Sequence, residues 1–385
     1  MKSWETGFSR AYMFAEVVPR SLRSARIAHI RDTRSGRPRS GWGPRAVGET
    51  VFDEFFIAIN SVLRDIPADE AITAYVDRCA VIADEFATLG VRGANQDPGP
   101  PEILSRQSRR FVATPYDQIT FRVNDPLPAS VAGFDPAADD EASARVLSHG
   151  GSRRRWLIWV HGAAQGRPDD LFTFRAAHLH NNLDFELVLP VLPAHGPRSV
   201  PGVAYPGFDP ILNVLITMRA VAEIRSLIGW IETHDPIDIT IAGTSLGGPI
   251  AALVASLDPR VSSVMATVPM LDMHRTLTHH MSRGGIRGKL MADLLSSEPV
   301  RTVSAVMDPL SVEPYAEPDR RMVIAALNDR ITSVTAAQRL HQHWGGRVHW
   351  YQGSHVGSVF SGDVKAVADN FLLGRPSQPA NHPAG

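Results

Sequence analysis

The chain of 385 residues has a single cysteine, Cys79, so no internal disulfide can form and no oxidising compartment is needed for stability. No run of about eighteen apolar residues occurs, so no transmembrane helix is expected. The opening residues, MKSWETGFSR, lack the apolar core and cleavage site of a secretory signal. Net charge is only −1 at neutral pH, so the chain as a whole offers no footprint for nucleic acid. There are no internal repeats. His279-His280 has no Asp, Glu or Cys nearby at ligand spacing, so no metal is expected, and no motif calls for a cofactor. These absences leave a cytoplasmic location as the expectation.

What is present is ordinary in bulk and uneven in detail. Apolar residues make up 44% and charged residues 21%, enough for a large buried core. Residues 1–45 carry Lys2 and nine arginines against Glu5, Glu16 and Asp32, a net of +7. This basic arm has two readings. Arginines mixed with Tyr12, Met13, Phe14, Val17, Val18, Leu22 and Ile27 make an amphipathic segment suited to the surface of an anionic membrane. Pro19 interrupts that pattern, which favours a solvated arm or a helix packed on the main domain. At the other end, residues 376–385 read as a disordered tail.

Residues 46–114 read as a helical extension. Val51, Phe52, Phe55, Phe56, Ile59, Val62 and Leu63 recur at three- and four-residue spacing, as do Ile72, Tyr75, Val76, Cys79, Val81, Ile82 and Phe86. Pro67-Ala68-Asp69-Glu70 reads as a turn into a helix start. The pair is expected to dock on the domain that follows, with Cys79 as an inert core thiol. Gly90 to Pro101 reads as a boundary loop.

From about residue 115 to 375, strands alternate with helices. Ile119–Val123, Trp156–Val160, Phe185–Leu189, Ile237–Gly243, Val264–Val268, Met322–Leu327 and Val348–Tyr351 are the predicted strands, and residues 124–152 read as a polar loop or hairpin. The alternation predicts an α/β fold with a mainly parallel sheet covered on both faces, and ligands then bind beyond the carboxyl ends of the strands.

One stretch carries chemistry. Ile237–Gly243 is a β-branched strand, Gly243-Thr244-Ser245-Leu246-Gly247 a Gly-x-Ser-x-Gly turn, and Pro249–Ala255 the start of an apolar helix. Strand, turn and helix in that order form the context of a nucleophile elbow, with Ser245 as the nucleophile. Gly243 and Gly247 suit the close approach of strand and helix backbones. A serine hydroxyl needs a base, and the base a third group to orient it. Of fifteen histidines, His355 lies in a Gly-flanked loop after the last strand and is the candidate base. His349 lies inside that strand, and His341 and His343 sit on a predicted surface helix. Asp329, just after the Met322–Leu327 strand, is the candidate acid; its plain alternative is a helix cap. Asp272, after the preceding strand, is the second candidate. Oxyanion donors are expected from Leu246 N–H, at a helix N-terminus, and from Ala163 N–H in the loop His161–Gly166. His161 is expected to brace that loop.

Strand-His161-Gly162, the Ser245 elbow, Asp329 after a strand and His355 near the end together resemble the α/β-hydrolase superfamily over about residues 115–373. The resemblance implies an eight-stranded, mostly parallel sheet and acyl-transfer chemistry, usually ester hydrolysis. Leu189–Arg198 resembles the proline-rich loop of some esterase-like members. Ala163-Ala164 stand where the HGGG form has glycines, and a serine nucleophile departs from the epoxide-hydrolase and haloalkane-dehalogenase branches. Residues 270–318 exceed an ordinary connection and read as a helical cap, whose five methionines either line an acyl pocket or pack the cap itself. The expectation is a serine carboxylester hydrolase, without cofactor or metal, acting on a small-molecule or lipid ester. The same constellation serves a thioesterase, amidase or acyltransferase. A binding protein of hydrolase fold, without turnover, is the reading from another class.

Overall fold

The computed structural model describes residues 15–30, 37–41, 43–63, 67–124, 127–132, 134, 141–281 and 285–375. Among them nine strands form one sheet: β1 (Glu102–Phe111), β2 (Thr114–Arg122), β3 (Ala142–Leu147), β4 (Arg155–Val160), β5 (Phe185–Val191), β6 (Asp238–Thr244), β7 (Ser263–Thr267), β8 (Arg321–Ala326) and β9 (Arg347–Tyr351). The spatial order is β1-β2-β3-β5-β4-β6-β7-β8-β9. Pairing is parallel from β5 through β9 and antiparallel among β1, β2, β3 and β5. The central strands are buried along nearly their whole length and mostly apolar, because helices cover both faces.

The sheet has one strand more than the expected eight, and it begins before residue 115. β1 is an edge strand of largely exposed polar residues, Ser105-Arg106-Gln107-Ser108-Arg109-Arg110, which give no apolar alternation to read. β3 lies within the stretch expected to be a polar loop or hairpin. It is buried, and it includes Arg145, whose guanidinium reaches the Gly166 carbonyl at 2.8 Å.

Three helices precede the sheet: α1 (Val17–Ile30), α2 (Pro44–Leu63) and α3 (Asp69–Ala94). Pro19 falls in the first turn of α1, where no intrahelical N–H bond is lost. α3 passes a kink at Gly90 (φ 58°) and continues to Ala94, so the boundary loop starts later than Gly90. Helices α4 (Pro210–Glu232), α5 (Gly247–Leu257), α6 (Met273–Met281), α7 (Gly285–Leu295), α8 (Glu298–Ser304), α9 (Val334–Trp344) and α10 (Gly362–Leu372) follow. α4 starts at a Asp209-Pro210 cap whose carboxylate accepts the Ile211 amide at 3.0 Å. Together α4, α5 and α9 cover one sheet face, and α10 with the short helices 170–181 covers the other.

The insertion between β7 and β8 is helical, as expected, and α3 binds it to the sheet domain. Cys79, Ile82 and Phe86 pack among Ile211, Val214 and Met218 of α4 and Val300 and Val303 of α8. Ile72 meets Met291 and Leu295 of α7. Met270, Met273 and Met291 are buried in these cores and Met307 packs against them, while the Met281 side chain lies outside the described residues.

α2 lies the other way round from its apolar pattern. Thr50, Asp53, Glu54 and Ile57 are buried, while Phe52 is 54% exposed and Phe55 and Phe56 are also exposed. Main-chain and side-chain donors on two distant loops donate to the buried carboxylates, and no local periodicity displays this. Of the basic arm, residues 1–14, 31–36 and 42 lie outside the described residues, as do Ser282-Arg283-Gly284 of the cap and the tail from 376. No helix of the described residues is long and apolar enough to cross a membrane.

Candidate active site

The site begins at the end of β6. Ser245 has φ 54°, in the left-handed region that non-glycine residues rarely adopt. The conformation is held on three sides: Ser245 N–H donates to the Thr267 carbonyl at 2.9 Å, and the Ser245 carbonyl accepts from Gly248 at 3.0 Å and Met270 at 2.9 Å. Gly247 is fixed by crowding, since a Cβ there would stand 2.6 Å from the His161 carbonyl oxygen. The strained turn therefore presents the serine beyond the sheet, at the start of α5.

His355 arrives from the loop after β9. Its Nε2 accepts the Ser245 hydroxyl at 3.0 Å, and its Nδ1–H donates to Asp329 Oδ2 at 2.9 Å. Asp329 arrives from the loop after β8. The Thr332 hydroxyl donates to its Oδ2 at 2.7 Å, and the Ile331 and Thr332 amides donate to its Oδ1 at 2.9 and 2.7 Å. The acid thus organises its own turn as well as facing the imidazole.

Burial alone would lower the His355 pKa, but the charge and hydrogen bond of Asp329, with Asp53 adding to them, hold it above the ordinary histidine value. Burial would raise the Asp329 pKa, and the charge of His355 with hydrogen bonds from His355 and Thr332 brings it below the ordinary carboxylate value instead. The pair is therefore set to favour an imidazolium beside a carboxylate.

The loop after β4 runs beside the serine: a Cβ on Gly162 would come within 3.2 Å of Ser245 Cβ. Gln165 Oε1 accepts the Gly162 amide at 2.6 Å, and Asp170 Oδ2 accepts the Gly166 amide at 2.7 Å. His161 ties this loop to the next one. Its Nε2 accepts the Leu192 amide at 3.0 Å and its Nδ1–H donates to the Gly162 carbonyl at 2.8 Å. Burial, reinforced by His195, pushes its pKa down to about 3, so it stays neutral as a brace. The loop 193–198 is fastened in turn by Arg198, which forms a two-pronged pair with Glu223, both bonds 2.7 Å. Among the described residues neither the Leu246 nor the Ala163 amide donates a hydrogen bond.

The remaining candidates lie apart. Asp272 Oδ1 accepts the Arg275 amide at 3.0 Å, capping α6 and making no contact with His355. His349 pairs with Asp363 at 2.9 Å on the surface, and His343 faces the Val312 carbonyl at 3.0 Å. His341, on α9, lies edge-on to Trp350.

Two sets of contacts are missing from the sequence reading. Thr332, three residues after Asp329, could have been found from its spacing in the turn. Glu49 and Asp53 of α2 could not, because their partners lie about 300 residues downstream: Asp53 Oδ2 accepts the His355 amide at 2.9 Å and Glu49 Oε2 the Ser354 amide at 2.8 Å.

Comparison with known proteins agrees with this architecture. A family model described as "Alpha/beta hydrolase domain containing 18" matches residues 210–303, the segment from α4 through the Ser245 elbow to α8. The chain is 35% identical over 271 residues to two uncharacterized proteins of Mycobacterium tuberculosis, Rv2627c (strain ATCC 25618 / H37Rv) and MT2702 (strain CDC 1551 / Oshkosh). That match covers 64% of this chain and 64% of the length of each relative. Among solved structures, acetyl xylan esterase 1 from Thermoanaerobacterium sp. JW/SL YS485 superposes with TM-score 0.52 at 15% identity, over 80% of this chain and 99% of its own. The acetyl xylan esterase from Paenibacillus sp. R4 gives TM-score 0.51 at 13% identity, over 81% and 97%.

Proposed function

We propose that the chain is a serine hydrolase of the α/β-hydrolase superfamily that cleaves a carboxylic ester; the α/β-hydrolase model matched over residues 210–303 and the esterase-like fold support this. The observation that carries this reading is the continuous relay from Ser245 Oγ to His355 Nε2 at 3.0 Å and from His355 Nδ1 to Asp329 Oδ2 at 2.9 Å, starting on a strained strand-to-helix turn.

In this reading Ser245 Oγ attacks the ester carbonyl while His355 Nε2 takes its proton. Asp329 keeps the other ring nitrogen protonated and stabilises the imidazolium that forms. Charge collects on the carbonyl oxygen, where the Leu246 and Ala163 N–H groups and the N-terminal end of α5 meet it; one such donor is worth about 3 kcal/mol. The imidazolium returns its proton to the departing alcohol, leaving an acyl group on Ser245. Water, activated by His355, then releases the acid. Both solved structures of similar fold bear the name acetyl xylan esterase, which supports esters as the first class to test.

The test is a panel of p-nitrophenyl esters from acetyl to palmitoyl, run on the wild type and on Ser245→Ala. Turnover by the wild type with loss of about 10⁴-fold or more in the variant supports the reading. Equal rates in both overturn it. The chain length giving the highest kcat/KM then identifies the acyl length the site prefers.

A further inference from the structure

The α2 carboxylates reach both loops of the relay. Asp53 is fully buried, at 0% exposure. Its Oδ2 accepts the His355 amide at 2.9 Å and the Arg330 amide at 3.1 Å, and its Oδ1 accepts the Val356 amide at 3.1 Å. One side chain therefore clamps the residue that carries the imidazole to the residue next to Asp329. These loops follow different strands, β9 and β8, and Asp53 joins their main chains from a third element.

Three further contacts secure the clamp. Glu54 pairs with Arg330 Nε at 3.0 Å, on the same turn of α2. Just before α2, the Ser40 hydroxyl donates to Asn328 Oδ1 at 2.7 Å and the Gly41 amide donates to Gln352 Oε1 at 2.8 Å. An unpaired carboxylate buried at this depth would cost several kcal/mol. Three main-chain donors offset that cost, and all three lie in the two loops that orient the relay.

We propose that Asp53 is a positioning residue for the Ser245–His355–Asp329 relay, holding the His355 loop against the Asp329 loop and placing a second carboxylate close to His355. The proposal rests on the reading of Ser245 as the nucleophile. It makes the N-terminal extension a working part of the site rather than a separate module.

The groups that face Asp53 are Asp329 and Arg330 from the loop after β8, His355 from the loop after β9, and Glu54 on α2, with Glu49, Arg45 and Tyr351 one turn away. Burial and the Asp329 charge push the Asp53 pKa above the ordinary carboxylate value, while His355 and the two loop amides oppose this. Asp53 in turn favours the His355 imidazolium. Asp53→Asn removes that charge, so the His355 pKa falls and the free base persists to lower pH.

The experiment measures the second-order rate of Ser245 labelling by a fluorophosphonate across pH, on the full chain, for wild type and Asp53→Asn. Circular dichroism melting checks that the variant folds. The proposal expects labelling at least about tenfold slower at the variant's own optimum, because small misplacements of reacting groups are costly. It also expects the acid limb to move toward lower pH by about half a unit or more. A merely structural role lowers the labelled fraction but leaves the limb in place, and a folded variant with an unmoved limb overturns the proposal. If Asp53→Asn does not fold, amide hydrogen exchange on the wild type decides. Slow exchange at Arg330, His355 and Val356 supports the clamp, and exchange at unprotected rates overturns it. A wild type that takes no label at Ser245 overturns the nucleophile reading and the proposal with it, whereas a labelled wild type with an unchanged variant overturns the proposal alone.

Discussion

Glu49 Oε2 accepts the Ser354 amide at 2.8 Å and the Tyr351 hydroxyl at 3.1 Å, so a helix near the start of the chain holds the residue before His355. The contact explains Gly353. A Cβ there would fall on both the Glu49 carboxylate and the Tyr351 ring, and one on Gly357 would stand 2.6 Å from Glu49 Oε2. Gly353→Ala is therefore expected to push α2 off the His355 loop. The expected cost is about 1–3 kcal/mol in urea unfolding, as for other overpacked sites, with at least a tenfold loss of the proposed ester-cleaving activity. An active variant with wild-type stability would show that the loop yields freely.

The second prediction concerns pH. His355 is the general base in the proposed mechanism and must be neutral to act, so activity rises as pH climbs through its pKa, which lies above the ordinary histidine value. Asp329→Asn removes the charge that stabilises the imidazolium. The acid limb of kcat/KM then moves to lower pH, while the maximum rate falls by about 10³–10⁴-fold through loss of the correct tautomer. A pH–rate profile over pH 5–9 checks both. A limb that moves to higher pH would contradict the assignment of Asp329.

How much of this was legible in the sequence depended on how local each signal was. The Ser245 elbow was legible because strand, turn and helix are contiguous and the crowding at Gly247 demands a glycine. Asp329 and His355 were legible because each follows a strand that the apolar pattern shows. β1 was not, since an edge strand of arginine and serine carries no apolar face. The orientation of α2 was misread for a related reason. Phe52, Phe55 and Phe56 make the loudest periodic signal, yet Asp53 and Glu54 are the residues inside. Their partners are three amides for Asp53 and the Arg330 guanidinium for Glu54, on loops far along the chain, and a single-sequence pattern carries no trace of those.

A third prediction tests the fastening of loop 193–198, to which His161 ties the loop beside Ser245. Arg198 and Glu223 are both buried and pair through two bonds of 2.7 Å. Glu223→Gln removes the carboxylate charge that this buried guanidinium pairs with. Removing one partner of such a pair typically costs about 3–5 kcal/mol, to be read by guanidinium chloride unfolding. The double substitution Arg198→Met with Glu223→Leu is expected to recover most of that loss. Equal destabilisation of the single and double variants would show that the pair serves something other than charge compensation.

The central claim is that Ser245 is an activated nucleophile. The most direct measurement is intact mass followed by peptide mapping after fluorophosphonate treatment, on the wild type and on Ser245→Ala. A single adduct on the peptide containing Ser245, absent from the variant and slowed at least about a hundredfold in His355→Ala, is the result the account predicts. An adduct on another residue, or equal labelling of wild type and Ser245→Ala, would contradict it.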